Sequence, residues 1–531
     1  MKNIEIPYEQ DRDKLYRFFE ILPGALSWTI LALPFLLSII SVTAAAFFIL
    51  GFILVFFTRA MAVTIRALAG YRMMEEHTKL DWKQLIQEVE EGAVSDPRAK
   101  RPDWHHGNLR RLQQQGGPVV KPSELLHAII VAVHREGREI LEPTIQAIIS
   151  SDFDVKGKVL FIYAYEERGG PEVEKQAKEL TAKYARYFKD AMCFKHPAGI
   201  PGEIKGKGSN ITHAGRRLAE YVKQHGIDPN KVVVTTLDCD HRPHKQYLSA
   251  LTYMYCVSPD PLHAAYQPLQ MFNNNIWDAP APMRVIAAGN SYFYLMLTQR
   301  PHLQRNFAAH AQSLQALIDM DFWSMRTIVE DGHHFWRSYF HFDGDYRVYP
   351  LAVPIYCDAV LSDTYWKTIK AQFVQLRRWT YGASDFPYIM INGFFRKNKI
   401  PRRDLIPKAL RHLEGHVHWA VGAILLATAG FIPALLNPDS YVANMLPITL
   451  SRIQTVGLIG IFASLFVCLK TLPPRPLRYK RHRTLFMVIQ WVYLPITNIV
   501  FSSFAALNSQ TRLIFKRYLT VFDATEKAVK K

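Results

Sequence analysis

Residues 231–241 read Lys-Val-Val-Val-Thr-Thr-Leu-Asp-Cys-Asp-His, and the rest of the chain is understood from them. Lys231–Leu237 is β-branched and apolar, the composition of a strand buried on both faces. Such strands belong to parallel sheets covered by helices on either side, and ligands of these sheets bind at the carboxyl ends of the strands. What stands at this end is Asp238 and Asp240, two carboxylates at i and i+2. Hard oxygen ligands suit Mg²⁺ or Mn²⁺, ions that protein sites share with substrate phosphates. The same Asp-x-Asp spacing also occurs as a solvated turn.

Upstream the pattern repeats. His127–Val133 and Val159–Tyr165 read as two further buried strands. A helix over about Ile140 to Ser150 follows the first, and a charged helix over Pro171 to Lys189 follows the second. This strand–helix alternation predicts an α/β domain with a parallel sheet covered on both faces. Between the strands lies Lys205-Gly206-Lys207-Gly208-Ser209-Asn210, a turn before a helix whose amides and Lys207 can cradle phosphate; it lacks the Walker spacing.

Two more clusters follow. Glu330-Asp331, in Thr327-Ile328-Val329-Glu330-Asp331-Gly332, is an acidic pair beside an apolar run. It fits a helix N-cap, or a general base within reach of a sugar hydroxyl. Gln375-Leu376-Arg377-Arg378-Trp379 offers a guanidinium fork for phosphate and a flat apolar face for a sugar ring. It also fits an amphipathic helix at a membrane interface.

The flanks are apolar. Ile21 to Phe57 has no Asp, Glu, Lys or Arg, roughly 37 residues against the ~20 of one membrane helix. Two short spans are expected, with Pro34 or the Ser38–Ser41 stretch at the turn. Residues 59–90 read as an interfacial helix, and the Pro- and Gly-bearing stretch 96–117 as a linker. Near the C-terminus three uncharged tracts run over 419–436, 453–469 and 485–507. The net charge of +18 concentrates at membrane flanks, as at Arg475, Arg478, Lys480, Arg481 and Arg483. That is the mark of cytoplasmic loops and argues against a nucleic-acid partner. A third C-terminal span would leave the basic tail (Arg512, Lys516, Arg517, Lys527) outside, against the charge rule, so Pro495 is expected to break the last tract into a hairpin or re-entrant pair. Five scattered cysteines give neither a zinc site nor a disulfide framework.

Taken in order, Asp238-x-Asp240, Glu330-Asp331 and Gln375-x-x-Arg378-Trp379 between membrane tracts resemble the family 2 membrane glycosyltransferases. These include cellulose, hyaluronan and chitin synthases and ceramide glucosyltransferases. The resemblance covers about Ser123 to Trp379. It implies a GT-A catalytic domain, a Rossmann-like α/β sheet, inserted between transmembrane helices, in a multi-pass membrane protein with that domain cytoplasmic. It implies inverting, divalent-cation-dependent transfer from a nucleotide sugar, a UDP-sugar favoured, to a growing polysaccharide at the cytosolic membrane face, with the chain secreted. A glycolipid synthase acting on a lipid acceptor is the alternative. A transporter with a regulatory soluble domain is a remote one, because the spans lack interior charges.

The resemblance also assigns roles. Glu136 matches a residue near the nucleoside, and Lys207 one near the nucleotide. Asp238 matches the carboxylate touching nucleotide, sugar and metal, and Asp240 the metal ligand. Asp331 matches the catalytic base, with Glu330 beside it; Gln375, Arg378 and Trp379 match the diphosphate and acceptor-end motif. The family's second strand ends in an aspartate; here Tyr165-Glu166-Glu167 stands instead, with Glu166 or Glu167 as substitute. The expected domains are a cytosolic segment over 1–20, membrane helices over 21–57, interfacial helix and linker over 58–120, and the GT-A domain over 121–395. An amphipathic segment over 396–416, C-terminal membrane helices over 417–507 and a basic tail over 508–531 complete the chain.

Overall fold

The computed structural model describes residues 4–96, 98 and 100–521, the side chains of 458 and 459 excepted. The N-terminal apolar tract forms two helices, α1 (Lys14–Ile40) and α2 (Val42–His77). They break at Ser41, whose extended backbone (φ −162°, ψ 115°) ends α1 and whose side chain accepts the Ala44 N–H to start α2. Pro34 stays inside α1. The two helices are therefore not short, at 27 and 36 residues. α2 runs 36 residues, so the stretch expected as an interfacial helix from residue 59 is its continuation as far as His77.

Two helices follow, α3 (Trp82–Glu91) and α4 (Asp103–Gln115). α4 corrects the linker expected at 96–117; residues 97 and 99 of that stretch lie outside the described residues. It is helical because Leu109, Leu112 and His105 fall on one face and bury there, which offsets its poor intrinsic propensity. Fully buried Glu88 of α3 accepts from His105 Nε2 at 2.8 Å and from Arg101 Nη2 at 2.7 Å, locking the pair onto Tyr253.

The soluble domain is built on one eight-stranded sheet. Its strands are β1 (Leu126–Val133), β2 (Val159–Glu166), β3 (Asp190–His196), β4 (Val232–Asp238), β5 (Arg242–Pro243), β6 (Ala264–Met271), β7 (Ala311–Ser313) and β8 (Arg347–Tyr356). Their order is β3-β2-β1-β4-β7-β6-β8-β5. The first four pair in parallel, but β7 is antiparallel to both β4 and β6, and β5 to β8. The sheet is mixed, not parallel as expected. The charged helix expected to Lys189 ends at Tyr184, and β3 follows it. Both faces of β1 are buried: Ile129, Val131 and Val133 in one core, Ala128 and Ile130 in the other.

Helix α5 (Lys207–Gln224) covers the second core with Ile211, Ala214 and Leu218. Helix α6 (Ala281–Thr298) packs along α2 so closely that a Cβ on Gly70 would collide with the Leu295 carbonyl. Helices α7 (Glu330–His341) and α8 (Tyr365–Thr380) complete the domain's site-bearing elements.

Three long helical segments follow: α9 (Arg402–Leu436), α10 (Tyr441–Thr471) and α11 (His482–Ile514). With α1 and α2 they make five helices long and apolar enough to cross a membrane, by length and composition. Four have one end at the soluble domain and the other away from it. Asn437 beyond α9 donates to the Ser38 carbonyl near the end of α1, at 3.0 Å, joining the far ends. Asn273 of the domain donates to the Thr471 carbonyl at the near end of α10.

α11 differs, because both of its ends touch the domain. Arg483 donates to the Trp277 carbonyl at 3.0 Å, and Ser509 donates to the Arg377 carbonyl at 2.6 Å. Pro495 kinks α11 between a 3₁₀ turn (Gln490–Tyr493) and a π turn (Asn498–Ser503), with right-handed backbone throughout and no hairpin. The segment runs along the junction between domain and helices. Of the basic tail, Lys527 lies outside the described residues.

Candidate active site

β4 delivers Asp238 at its last residue, in register with Ala132 of β1, so the carboxylate leaves the sheet's carboxyl edge. Asp238, Asp240 and His241 place one ligand atom each within 4.8 Å of one another. Asp240 is 5% exposed and is fixed from the loop that follows β8: its Oδ2 accepts the Asp358 N–H at 3.0 Å. Its own carbonyl accepts from Asn274 Nδ2 at 3.0 Å. His241 Nδ1 accepts the Asp238 N–H at 3.1 Å, which leaves the ring proton on Nε2, facing Asp238 Oδ2 at 3.5 Å. His241 therefore orients Asp238, and the donor set for a cation is the two carboxylates. Two hard oxygen donors, one of them (Asp238) a third exposed on the crevice, fit Mg²⁺ or Mn²⁺.

Helix α5 opens at Lys207, 8% exposed, whose ammonium meets Asp238 Oδ1 at 2.5 Å and donates to the Ala308 carbonyl at 3.0 Å. The helix can start this close to α7 because Gly208 has no side chain: a Cβ there would stand 2.8 Å from the Ser324 carbonyl oxygen and 3.0 Å from the Glu330 Cβ. Burial pushes the Lys207 ammonium down, but Asp238, Glu330 and Asp331 outweigh it and hold it above its ordinary value. It stays protonated.

Glu330 and Asp331 occupy the first turn of α7. Neither is the N-cap, which is Val329; Asp331 Oδ1 accepts the Gly332 N–H at 2.7 Å. Burial raises the affinity of both carboxylates for protons, and Glu330 is raised further by the charge of Asp331. Lys207 and Arg378 pull the other way on each. Asp331 also feels Asp238. Clusters more than a hundred residues apart thus share one electrostatic space.

Arg378 and Trp379 stand in the last turn of α8. That turn is held from α11, where Ser509 bonds the Arg377 carbonyl and meets Thr380 Oγ1 at 3.0 Å. α8 thus carries Arg378 and Trp379 on a turn packed against α11. Trp379 packs against Phe272 (ring centroids 6.0 Å), which packs against Tyr294 of α6 (6.3 Å). The Tyr294 hydroxyl borders the same space: after burial, the charges of Asp331 and Asp238 raise its pKa. Gln375 is half-buried one turn back and accepts from Gln372 Nε2 at 3.1 Å.

The remaining candidates lie at the neighbouring strand ends. Glu136 follows β1 and turns its carboxylate onto the His134 and Arg135 amides, at 2.8 and 3.1 Å. Glu166 ends β2, buried, bonded by Arg168 Nη2 at 2.8 Å. Glu167 is exposed and accepts the Ala198 N–H at 2.9 Å. Asn210 of α5 reaches this edge, donating to the Ala164 carbonyl at 3.0 Å. Sequence reading missed His241, Asn210, Tyr294 and Asp358. Asp358 carried the signal used for Asp238, an acid just past an apolar run; Tyr294 carried none.

No family model and no curated protein matches the chain. Among solved structures it is similar to the mannosyltransferase PcManGT of Pyrobaculum calidifontis, solved with GDP-mannose and Mn²⁺, at 15% identity and TM-score 0.43 over 86% of this chain and 100% of that one. TarS 1-349 of S. aureus aligns at 10% identity and TM-score 0.35, over 74% and 93%. GalNAc-T7, solved with UDP, GalNAc and Mn²⁺, aligns at 9% identity and TM-score 0.29, over 50% and 52%. At such scores the functional reading rests on the chain's own residues.

Proposed function

We propose that the chain is a membrane-embedded, inverting glycosyltransferase that extends a polysaccharide from a nucleotide-sugar donor. The observation that supports it is the meeting of Lys207, Asp238, Glu330, Asp331 and Arg378 at the carboxyl edge of the sheet. A crevice with a buried lysine and a half-buried arginine on one side and a proton-seeking carboxylate pair on the other suits departure of a diphosphate and deprotonation of a hydroxyl.

In this reading Asp331 takes the proton from the acceptor hydroxyl, whose oxygen attacks the anomeric carbon opposite the leaving group. Lys207 and Arg378 stabilise the negative charge that grows on the departing diphosphate. Asp238 and Asp240 would hold a divalent cation, which when bound would supply further Lewis-acid neutralisation of that diphosphate. Trp379, Phe272 and Tyr294 line the acceptor side with flat faces suited to sugar rings. Glu136, Glu166 and Asn210 sit where the nucleoside would lie, and Gln375 supports the acceptor end. A UDP-sugar is the favoured donor.

For the membrane part, α1, α2, α9 and α10 cross, and α11 lies along the cytoplasmic face. The soluble domain is cytoplasmic because the 472–483 loop, with Arg475, Arg478, Lys480, Arg481 and Arg483, lies against it.

The test uses full-length protein in nanodiscs with a panel of UDP- and GDP-sugars. Nucleotide release that stops with EDTA and returns with Mn²⁺ or Mg²⁺, together with a carbohydrate polymer, is expected. No release from any donor with either ion refutes the enzyme; release with product only on lipid replaces the polysaccharide by the glycolipid reading.

A further inference from the structure

A second cluster of charge lies away from the catalytic crevice, where α2, α9 and the turn after α6 meet. Arg59 of α2 pairs with Glu414 of α9, and the Phe56 ring stacks on His418 at 5.4 Å, so the two helices run side by side. One to two turns nearer the domain, Arg66 of α2 and Lys408 and Arg411 of α9 all face the turn after α6, where after burial their charges, with that of Arg300, lower the proton affinity of the His302 imidazole. Arg300 and Arg305 join them from the turn that follows α6, Arg305 lying over the Phe335 ring at 3.9 Å. The carboxylates that reach this group are Glu414, taken by Arg59, and Asp404, taken by Lys408 and by the Tyr339 hydroxyl at 2.6 Å.

Among the described residues, Arg66, Arg300 and Arg411 meet no carboxylate. Arg66 and Arg300 are half-buried. Burial lowers the Arg300 guanidinium below its ordinary value, and the charges of Arg66, Arg411 and Arg59 lower it further. Assembling unneutralised cations at partial burial costs free energy, a cost that an anion in their midst would offset.

The surroundings specify the anion. Ile65 (65% exposed), Leu410 (60%) and Ile406 (43%) project from the same stretches of α2 and α9. They are large, apolar and unpacked, as lipid-facing positions are. The cluster stands at the domain-side ends of these two apolar helices, the depth of a phospholipid headgroup. A basic cleft between helices at that level fits a phosphate held from the bilayer.

We propose that Arg66, Arg300 and Arg411 form a binding site for the phosphate headgroup of an anionic glycerophospholipid, whose acyl chains lie against Ile65, Ile406 and Leu410. Seated there, the lipid ties the two helices to the turn that closes α6. The proposal rests on the membrane part of the function given above and not on sugar transfer.

Native mass spectrometry of the full chain, titrated with dioleoylphosphatidylglycerol or dioleoylphosphatidylcholine, tests it. Phosphatidylglycerol is expected to be retained selectively. At about fivefold in affinity per arginine, the triple variant R66Q/R300Q/R411Q should lose on the order of a hundredfold, with phosphatidylcholine retention unchanged. The single variant R300Q, on a turn outside the apolar helices, guards against misfolding and should lose about fivefold. Equal retention of both lipids by the parent chain, or unchanged phosphatidylglycerol retention in R300Q and the triple variant, overturns the site. Displacement of phosphatidylglycerol by millimolar inorganic phosphate would make free phosphate the ligand and overturn the lipid assignment. Failure to enter phosphatidylcholine nanodiscs would instead refute the membrane reading.

Discussion

Lys207 and Asp238 face each other at 2.5 Å while Glu330 and Asp331 stand close enough to be felt by both cations of the site. For both carboxylates burial comes first and favours the protonated form; on Glu330 the charge of Asp331 adds to it, whereas on Asp331 Lys207 is the largest opposing influence. A base works only when ionised, so kcat/KM should rise with pH through a limb above the ordinary carboxylate range. Lys207→Met removes the cation that most opposes burial at Asp331 and should move that limb to higher pH; pH–rate profiles of the two proteins check this, and an unmoved limb would separate Lys207 from the base. Asp238 and Asp240 were legible because a strand's end is where such acids can meet a ligand. Lys207 was legible as a turn signal, but its ion pair with Asp238 was not, since residues 207 and 238 meet only through the parallel order of β1 and β4 with α5 packed beneath them. Tyr294 was silent for another reason: inside an apolar helix, a tyrosine reads as core until packing shows where its hydroxyl emerges.

The strands found from sequence, β1, β2 and β4, are those with unbroken apolar runs. β6 and β8 were missed because each carries proline, Pro268 in one and Pro350 and Pro354 in the other, a residue that normally argues against an inner strand. They pair with each other all the same, with a register shift between Pro268 and Leu269 that absorbs the lost N–H. α4 was hidden by its glycine and its polar residues, and what orders it is the buried Glu88 with Arg101 and His105. Burial alone would raise Glu88, but hydrogen bonds from Arg101, Ser95 and His105 prevail and hold its pKa down to about 2. A depressed carboxylate contributes stability above its unfolded value near 4.5, and that contribution is lost as pH falls from there through 2. Glu88→Gln leaves the Arg101 guanidinium, 10% exposed, without its counter-charge and should cost about 3–5 kcal/mol, read as a lowered thermal midpoint of the soluble domain. A midpoint unchanged at neutral pH would mean that α3 and α4 are held by their apolar contacts alone.

Across the whole molecule, the count of apolar helices and the sidedness of the tail conflict unless one helix fails to cross. In the topology proposed above, α11, whose two ends contact the domain through Arg483 and Ser509, is that exception, and composition does not reveal it because its length and hydropathy match those of the other four helices. An impermeant maleimide applied to sealed vesicles should therefore label Lys516→Cys from the side that labels Glu172→Cys on the soluble domain, and Asp439→Cys from the other. Labelling of Lys516→Cys together with Asp439→Cys would make α11 a fifth crossing. The site itself depends on this arrangement, since α11 holds the turn of α8 that carries Arg378. The account as a whole turns on one residue's chemistry: Asp331→Asn should bind nucleotide sugar with Mn²⁺ as tightly as the parent while nucleotide release falls by about 10²–10⁴-fold. Parent-like turnover by Asp331→Asn, with binding intact, would contradict it.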